Sequence, residues 1–358
     1  MNRTLVIAEA GVNHGGSLPA ALELVDAAVG AGADVVKFQT FDARSLATAT
    51  APQAAYQRRN AAAASQIEML TGLQLDRDAH DTLAARCAET GIEFLSTAFD
   101  EVSLGWLLEL GIRRVKVPSG ELTNGPLVLA FARTGLPLIV STGMASLADI
   151  EGALAVIAFG AQHAEGVPTP ERLREAYTTA ARDGSLREWV TLLHCTSSYP
   201  ADPSDVHLAA MDTLAQAFAL PVGYSDHTLG TAVSIGAVAR GARVVEKHLT
   251  LDRDAPGPDH AASLEPDGFT ELVAGIRAVE AAIGSPVKYP TAAETDTVMT
   301  ARRSVVAARP IAAGQVIAAE DLRAARPGTG RPPADLWHLP GRTATRDYGV
   351  DEPLDARE

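Results

Sequence analysis

His227 and His248 each follow an apolar, strand-like run, Pro221 to Tyr224 and Arg243 to Val245 respectively. Ser225 and Asp226 precede the first histidine, and Glu246 and Lys247 precede the second. Residues 228–240 between the runs carry a helical pattern, and a helical crossover returns a second strand parallel to the first. Both imidazoles then stand on one rim of a parallel sheet, where adjacent strands lie about 4.8 Å apart. Neutral imidazoles so placed suit a divalent transition metal. The plain alternative is two strand-end histidines bonded to backbone carbonyls, so the rest of the rim must decide.

A second signal comes from lysine. The chain has 30 basic residues, but its only lysines are Lys37, Lys116, Lys247 and Lys288. The first three lie at or just beyond the apolar part of a strand, in VVKFQT, RVKVPS and VVEKHLT. Where arginine serves everywhere else, a retained lysine marks a place that needs a compact ammonium. Ammonium groups beside Ser and Thr hydroxyls make a pocket for a phosphate or phospho-carboxylate. A metal with open positions could polarise a carbonyl, with Glu9 or Glu121 as base or sugar-hydroxyl acceptor. The chemistry this reaches is metal-assisted carbon-carbon or carbon-oxygen bond making on a small phosphorylated or carboxylated molecule.

These residues need a frame. LVIAEAG, ADVVKFQTF, GIEFLSTAF, RRVKVPSGE, LPLIVSTGM and WVTLLHCTSSYP read as six strands separated by helical patterns, and the two histidine strands follow them. Eight such alternations over residues 1–285 predict a (β/α)8 barrel. Glu9, Lys37, Gln39, Thr97, Lys116, Ser119, Glu121, Ser141, Tyr199, Ser225, His227, Glu246, Lys247 and His248 all fall at carboxyl ends of strands, the rim where barrel enzymes keep their chemistry. Lys37 and Gln39 are read here onto alternate sides of their strand. Residues 42–75 are too long for a simple loop and are expected to be helical and to cover the rim, and residues 161–188 read as a polar, partly helical insertion. Residues 286–300 read as a Pro/Thr-rich linker. Residues 301–358 read as a small loop-rich, β-rich module with little core of its own.

Composition removes other classes. A net charge of -14 argues against nucleic acid and anionic membranes as partners. No apolar run is long enough to span a bilayer, and MNRTLVIAEAG reads as a strand rather than a leader. A cytoplasmic location is expected. Cys87 and Cys195 are too few for a disulfide framework and read as packing residues.

Nine stretches in order, IAEAGVNHGGSL, ADVVKFQTF, FLSTAFD, KVPSGELTN, STGM, LLHCTSSYP, VGYSDHTLG, EKHLTLDRDAPGPDHAASLEP and ARPGTG, resemble the sialic acid synthase family, the last falling in its antifreeze-like (SAF) module. The resemblance implies condensation of phosphoenolpyruvate with an N-acylated hexose aldehyde, usually N-acetylmannosamine, to a nine-carbon 2-keto sugar acid and phosphate. Legionaminate or pseudaminate synthesis from a diamino-dideoxy hexose is the alternative. By motif, His227 and His248 would bind Mn²⁺ or Mg²⁺, and Lys37, Thr97, Lys116, Ser119, Ser141, Ser197 and Ser225 would surround phosphoenolpyruvate. Gln39, Glu121, Tyr199 and Asp259 would hold the sugar, and Glu9 would position or deprotonate a water. The resemblance also implies a homodimer in which the small module caps the other subunit's barrel, with Arg326 reaching its N-acyl group. Two rivals stand beside it: a Schiff-base aldolase using Lys116 or Lys247, and a non-catalytic sugar-binding protein.

Overall fold

The computed structural model describes residues 3–54, 57–58, 65–163 and 165–355. The chain divides into two compact units, Met1–Gly284 and Ser285–Glu358.

The first unit is a (β/α)8 barrel. Its strands are β1 Leu5–Gly11, β2 Val35–Thr40, β3 Glu93–Ala98, β4 Val115–Val117, β5 Leu138–Ser141, β6 Val190–Cys195, β7 Val222–Asp226 and β8 Val244–His248. Parallel ladders join them in the order β3-β2-β1-β8-β7-β6-β5-β4, and β3 lies beside β4 at the seam. Strand residues are almost all buried on both faces, as a sheet wrapped in helices requires.

Local chemistry sets the helix starts. Ser17 accepts a hydrogen bond from the Ala20 amide to open Leu18–Gly30, and Asp76 and Asp100 do the same for Arg77–Thr90 and Glu101–Glu109. Ser146 and Asp149 form a reciprocal capping box at Leu147–Gln162. Within the expected covering segment, helices occur at Ala43–Leu46 and Gln66–Leu73; residues 55–56 and 59–64 of it lie outside the described residues. The polar insertion contains helix Pro170–Asp183, which buries only small residues, Ala176 and Ala180.

The second unit pairs β9 Ser304–Ala307 antiparallel with β10 Leu322–Ala325 and adds isolated bridges such as Ile311 to Tyr348 and Val316 to Thr343. The expectation of little core is corrected here. Val305, Ile311, Ile317, Leu339, Tyr348 and Leu354 form a buried apolar cluster, because the many short bridges fold both ends of the module over one centre. Among the described residues no helix is long and apolar enough to cross a membrane.

Candidate active site

The barrel interior is plugged by Ile7, Val35, Leu95, Ile139, Leu193 and Val244. Side chains two apart on a strand share a face, so each plug residue fixes what stands above it. Glu9, Lys37, Thr97, Ser141, Cys195 and Glu246 follow these six by two positions and line one cavity of about 650 Å³ at the carboxyl rim. Gly223 fills the same layer on β7, where a Cβ would stand 2.4 Å from the Val244 carbonyl oxygen and 2.6 Å from Leu193 Cδ2, and Ser225 rises above it. Register completes the assembly, with Glu9 opposite both Lys37 on β2 and His248 on β8.

One side of the cavity is cationic and hydroxyl-rich. Lys37 Nζ lies 2.6 Å from Glu9 Oε2 and 3.7 Å from Glu246 Oε2, and it donates to Thr97 Oγ1 at 3.2 Å. Lys116 Nζ donates to Ser141 Oγ at 2.8 Å and lies 3.5 Å from Glu246 Oε1, which also accepts from Ser225 Oγ at 3.1 Å. Burial disfavours charge on Glu246, but Lys116 and Lys37 outweigh it and hold that carboxyl below its ordinary range. For Lys37 burial again opposes charge, and Glu246 and Glu9 overcome it, raising the ammonium; for Lys116 burial wins and lowers it. Glu246 thus lies between two ammonium groups, close to where an anionic substrate would need them. Ser119 adds a hydroxyl fixed from two directions: its Oγ accepts the Gly143 amide at 2.9 Å and lies 3.2 Å from Cys195 Sγ.

The other side holds the imidazoles. His227 and His248 have ring centroids 5.4 Å apart, with the Tyr199 ring 4.1 Å from the first and 5.6 Å from the second. Burial lowers His227 to about 4 and His248 well below the ordinary value, so both are neutral near pH 7. The Thr196 carbonyl lies 2.7 Å from His227 Nδ1, which makes Nδ1 the protonated nitrogen and leaves the Nε2 lone pair available. His248 Nδ1 is buried with no hydrogen-bond partner among the described residues, and Asp259 Oδ2 stands 3.8 Å from it. Burial, with Glu9 adding repulsion, pushes Asp259 up to about 7. Gln39 Nε2 donates to Glu9 Oε1 at 3.1 Å. Two neutral imidazoles, one with an orphaned nitrogen, beside oxygen donors fit a divalent ion at an open site. Among the described residues no group of three or more His, Cys, Asp or Glu is placed to hold a metal ion, so the two imidazoles are the candidate protein ligands.

The structure brings nearly all the sequence-named residues to this cavity: Glu9, Lys37, Gln39, Thr97, Lys116, Ser119, Glu121, Ser141, Ser197, Tyr199, Ser225, His227, His248 and Asp259. Arg326 belongs to the second unit, where its Nε donates to the Ala301 carbonyl at 3.0 Å. Three readings need correction. Lys247 is not a cavity residue: standing between Glu246 and His248, it faces outward, fully buried, 3.0 Å from Asp226 Oδ2 and bonded to the Thr228 carbonyl. Lys37 and Gln39 share a face, as residues two apart on a strand must. Cys195 lines the cavity rather than merely packing, and burial raises its thiol. The residue given no role in the sequence reading is Glu246, and strand parity with His248 is the signal that marks it.

Residues 24–288 match the NeuB family and residues 302–356 match the SAF domain. An N,N'-diacetyllegionaminic acid synthase of Legionella pneumophila is 45% identical over 94% of this chain and 89% of its own length. A human N-acetylneuraminate-9-phosphate synthase is 32% identical over 94% of this chain and 87% of its own. A crystal structure of an N-acetylneuraminic acid (sialic acid) synthetase from Leptospira borgpetersenii, in complex with citrate, superposes with a TM-score of 0.68 at 30% identity, covering 83% of this chain and 90% of that one.

Proposed function

The chain belongs to the NeuB family, and from that premise we propose that it condenses phosphoenolpyruvate with an N-acylated hexose aldehyde and water, giving a nine-carbon 2-keto sugar acid and phosphate. The observation that carries this reading is the single cavity with two ammonium groups and hydroxyls on one side and two neutral imidazoles on the other. The sequence reading put N-acetylmannosamine first. The order is reversed here, with a diacylated diamino hexose of the legionaminate type ahead, because the Legionella relative, at 45%, carries that name and the 32% relative carries the neuraminate one.

Lys37 and Lys116 would bind the phosphate and carboxylate of the enol substrate, with Thr97, Ser119, Ser141, Ser197 and Ser225 as directional donors. The C2–C3 π pair forms the new bond from C3 to the aldehyde carbon, whose oxygen takes a proton. Water adds to the electron-poor C2 and gives up its proton, with Glu9, set by Lys37 and Gln39, positioned to accept it. Collapse then breaks the bond from C2 to the phosphate oxygen, leaving a ketone and inorganic phosphate. A divalent Mn²⁺ or Mg²⁺ on His227 and His248 would supply Lewis-acid polarisation of the aldehyde oxygen. Gln39, Glu121, Tyr199 and Asp259 would orient the sugar hydroxyl and acyl groups. Arg326 is assigned to the acyl end of the partner's site in a two-fold homodimer.

Phosphate release from phosphoenolpyruvate is the test, run with each of several N-acylated and diamino-deoxy hexoses. Release that requires an acceptor supports the reading. Absence of release with every acceptor defeats it.

A further inference from the structure

Behind the two imidazoles, on the outer face of the sheet, stands a polar network that the proposed mechanism leaves unused. Asp226 precedes His227 and Lys247 precedes His248. The alternation that turns both histidines inward turns this pair outward, toward helix Ala232–Ala239. The register between β7 and β8 ends with Asp226 opposite Lys247. One residue later the two backbones turn to different neighbours: the His227 carbonyl accepts the Ala201 amide and the His248 carbonyl accepts the Leu264 amide, each at 2.9 Å. Where the strands part, side chains join them, with Lys247 Nζ 3.0 Å from Asp226 Oδ2 and both side chains at 0% exposure. The same ammonium donates to the Thr228 carbonyl, just beyond His227. Asp226 Oδ1 accepts from the Thr228 amide and hydroxyl, each at 2.8 Å, and Oδ2 accepts from the Ser234 hydroxyl at 2.6 Å. The backbone on both sides of His227 is thus held to one carboxylate and to an ammonium rooted beside His248.

A buried ion pair adds little net stability over apolar residues of similar volume, because the cost of desolvation offsets the attraction. What it supplies that apolar residues lack is direction, since each hydrogen bond fixes an atom at one distance and angle. A compact ammonium can reach a carboxylate and a carbonyl at once in a space closed to solvent. Two imidazoles hold an ion well only when the groups behind them keep their spacing and orientation. We infer that Asp226 and Lys247 are positioning residues that lock His227 and His248 in register for a divalent cation, acting through the backbone on either side of His227. This rests on the histidine pair proposed above as the metal site and names what sets its geometry.

Mn²⁺ alone is the probe, titrated into the metal-free full chain with the unbound ion read by its EPR signal, so that turnover does not enter. The double variant Asp226→Asn with Lys247→Met leaves no charge unpaired, and the side-chain oxygen kept at 226 can still accept from Thr228, so the cross-strand tie is what is removed. Its Mn²⁺ dissociation constant is expected to rise about 10- to 100-fold, the loss typical when a group that orients a metal ligand is removed. Ser234→Ala deletes one hydrogen bond to Asp226 and no charge, and should raise the constant about threefold. Leu24→Ala, at a fully buried position on helix Leu18–Gly30, loosens the core elsewhere and should bind Mn²⁺ as the wild type does. A folded double variant with the wild-type constant overturns the inference while leaving the histidine pair intact. If the double variant does not fold, an unchanged constant in Ser234→Ala overturns it instead. An equal loss in Leu24→Ala also overturns it, since instability alone would then account for the effect. Failure of the wild-type chain to bind Mn²⁺, or binding that survives His248→Ala unchanged, defeats the histidine pair and the inference with it.

Discussion

Gly143 packs against Ser119, Cys195 and Ser197, three residues that line the rim cavity, and replacing it with alanine tests how closely the hydroxyls there are positioned. A Cβ at this residue would stand 2.4 Å from Ser197 Oγ, 2.7 Å from Cys195 Sγ and 2.9 Å from Ser119 Oγ. Ordinary contact begins near 3.4 Å, so the neighbours must retreat by about 0.5 to 1 Å. The backbone of Gly143 is not left-handed, so alanine meets no conformational penalty of its own and the effect isolates the side-chain crowding. Its amide also donates to Ser119 Oγ at 2.9 Å, and any shift of Ser119 degrades that bond. Misplacing groups in a reacting site by 1 Å costs on the order of 100-fold, whereas overpacking at one position costs about 1–3 kcal/mol of stability. Gly143→Ala is therefore expected to remain folded and to lose about 100-fold in kcat/KM for phosphoenolpyruvate, mainly through KM. Initial rates of phosphate release, with thermal unfolding measured beside them, read both quantities. A folded variant within about threefold of wild type would refute the reasoning.

Lys116→Arg keeps the charge but brings a planar fork into a space where Nζ already touches Ser141, so kcat/KM should fall by about tenfold or more; near-normal kinetics would show that the ammonium is not specifically required. Chelation should abolish turnover and Mn²⁺ restore it, and His248→Ala should lose orders of magnitude in rate with an unchanged fold; full activity in metal-free enzyme contradicts the histidine-pair assignment. Lys247→Met leaves Asp226 as an unpaired charge at 0% exposure and should destabilise the protein by about 3–5 kcal/mol in denaturant titration, whereas unaltered stability would place Lys247 outside the buried network. Mixing Arg326→Ala with His248→Ala protein should restore activity from two inactive parents in exchanged dimers, if each site draws on two chains. Exchange demonstrated without recovered activity excludes the shared site.

The barrel was legible because its signal repeats: an apolar run, then polar groups at the carboxyl end, then a helix. The cavity residues were legible for the same reason, since strand ends on one rim can only converge. What the reading lost came from ranking residues by type instead of by face. Lysine scarcity drew Lys247 into the site along with Lys37 and Lys116, yet a side-chain period of two places Glu246 and His248 inward and Lys247 outward. The same parity would have put Gln39 beside Lys37 and Cys195 above Leu193. Scarcity signalled that an ammonium was needed at Lys247, but the need there is to neutralise buried Asp226. The cavity-lining residues Met69, Leu70 and Leu73 of helix Gln66–Leu73 left a weaker trace, because a short helix that lines a cavity with leucines has the same pattern as one that packs on a core.

The central claim is a condensation in which phosphate leaves with its bridging oxygen. Phosphoenolpyruvate labelled with ¹⁸O in the bond between C2 and phosphorus, incubated with an accepted N-acylated hexose, decides it by mass spectrometry of both products. The account predicts one nine-carbon keto acid per phosphate, with the bridging label retained in the phosphate. Phosphate released without the label, or in the absence of any nine-carbon acid, would contradict it.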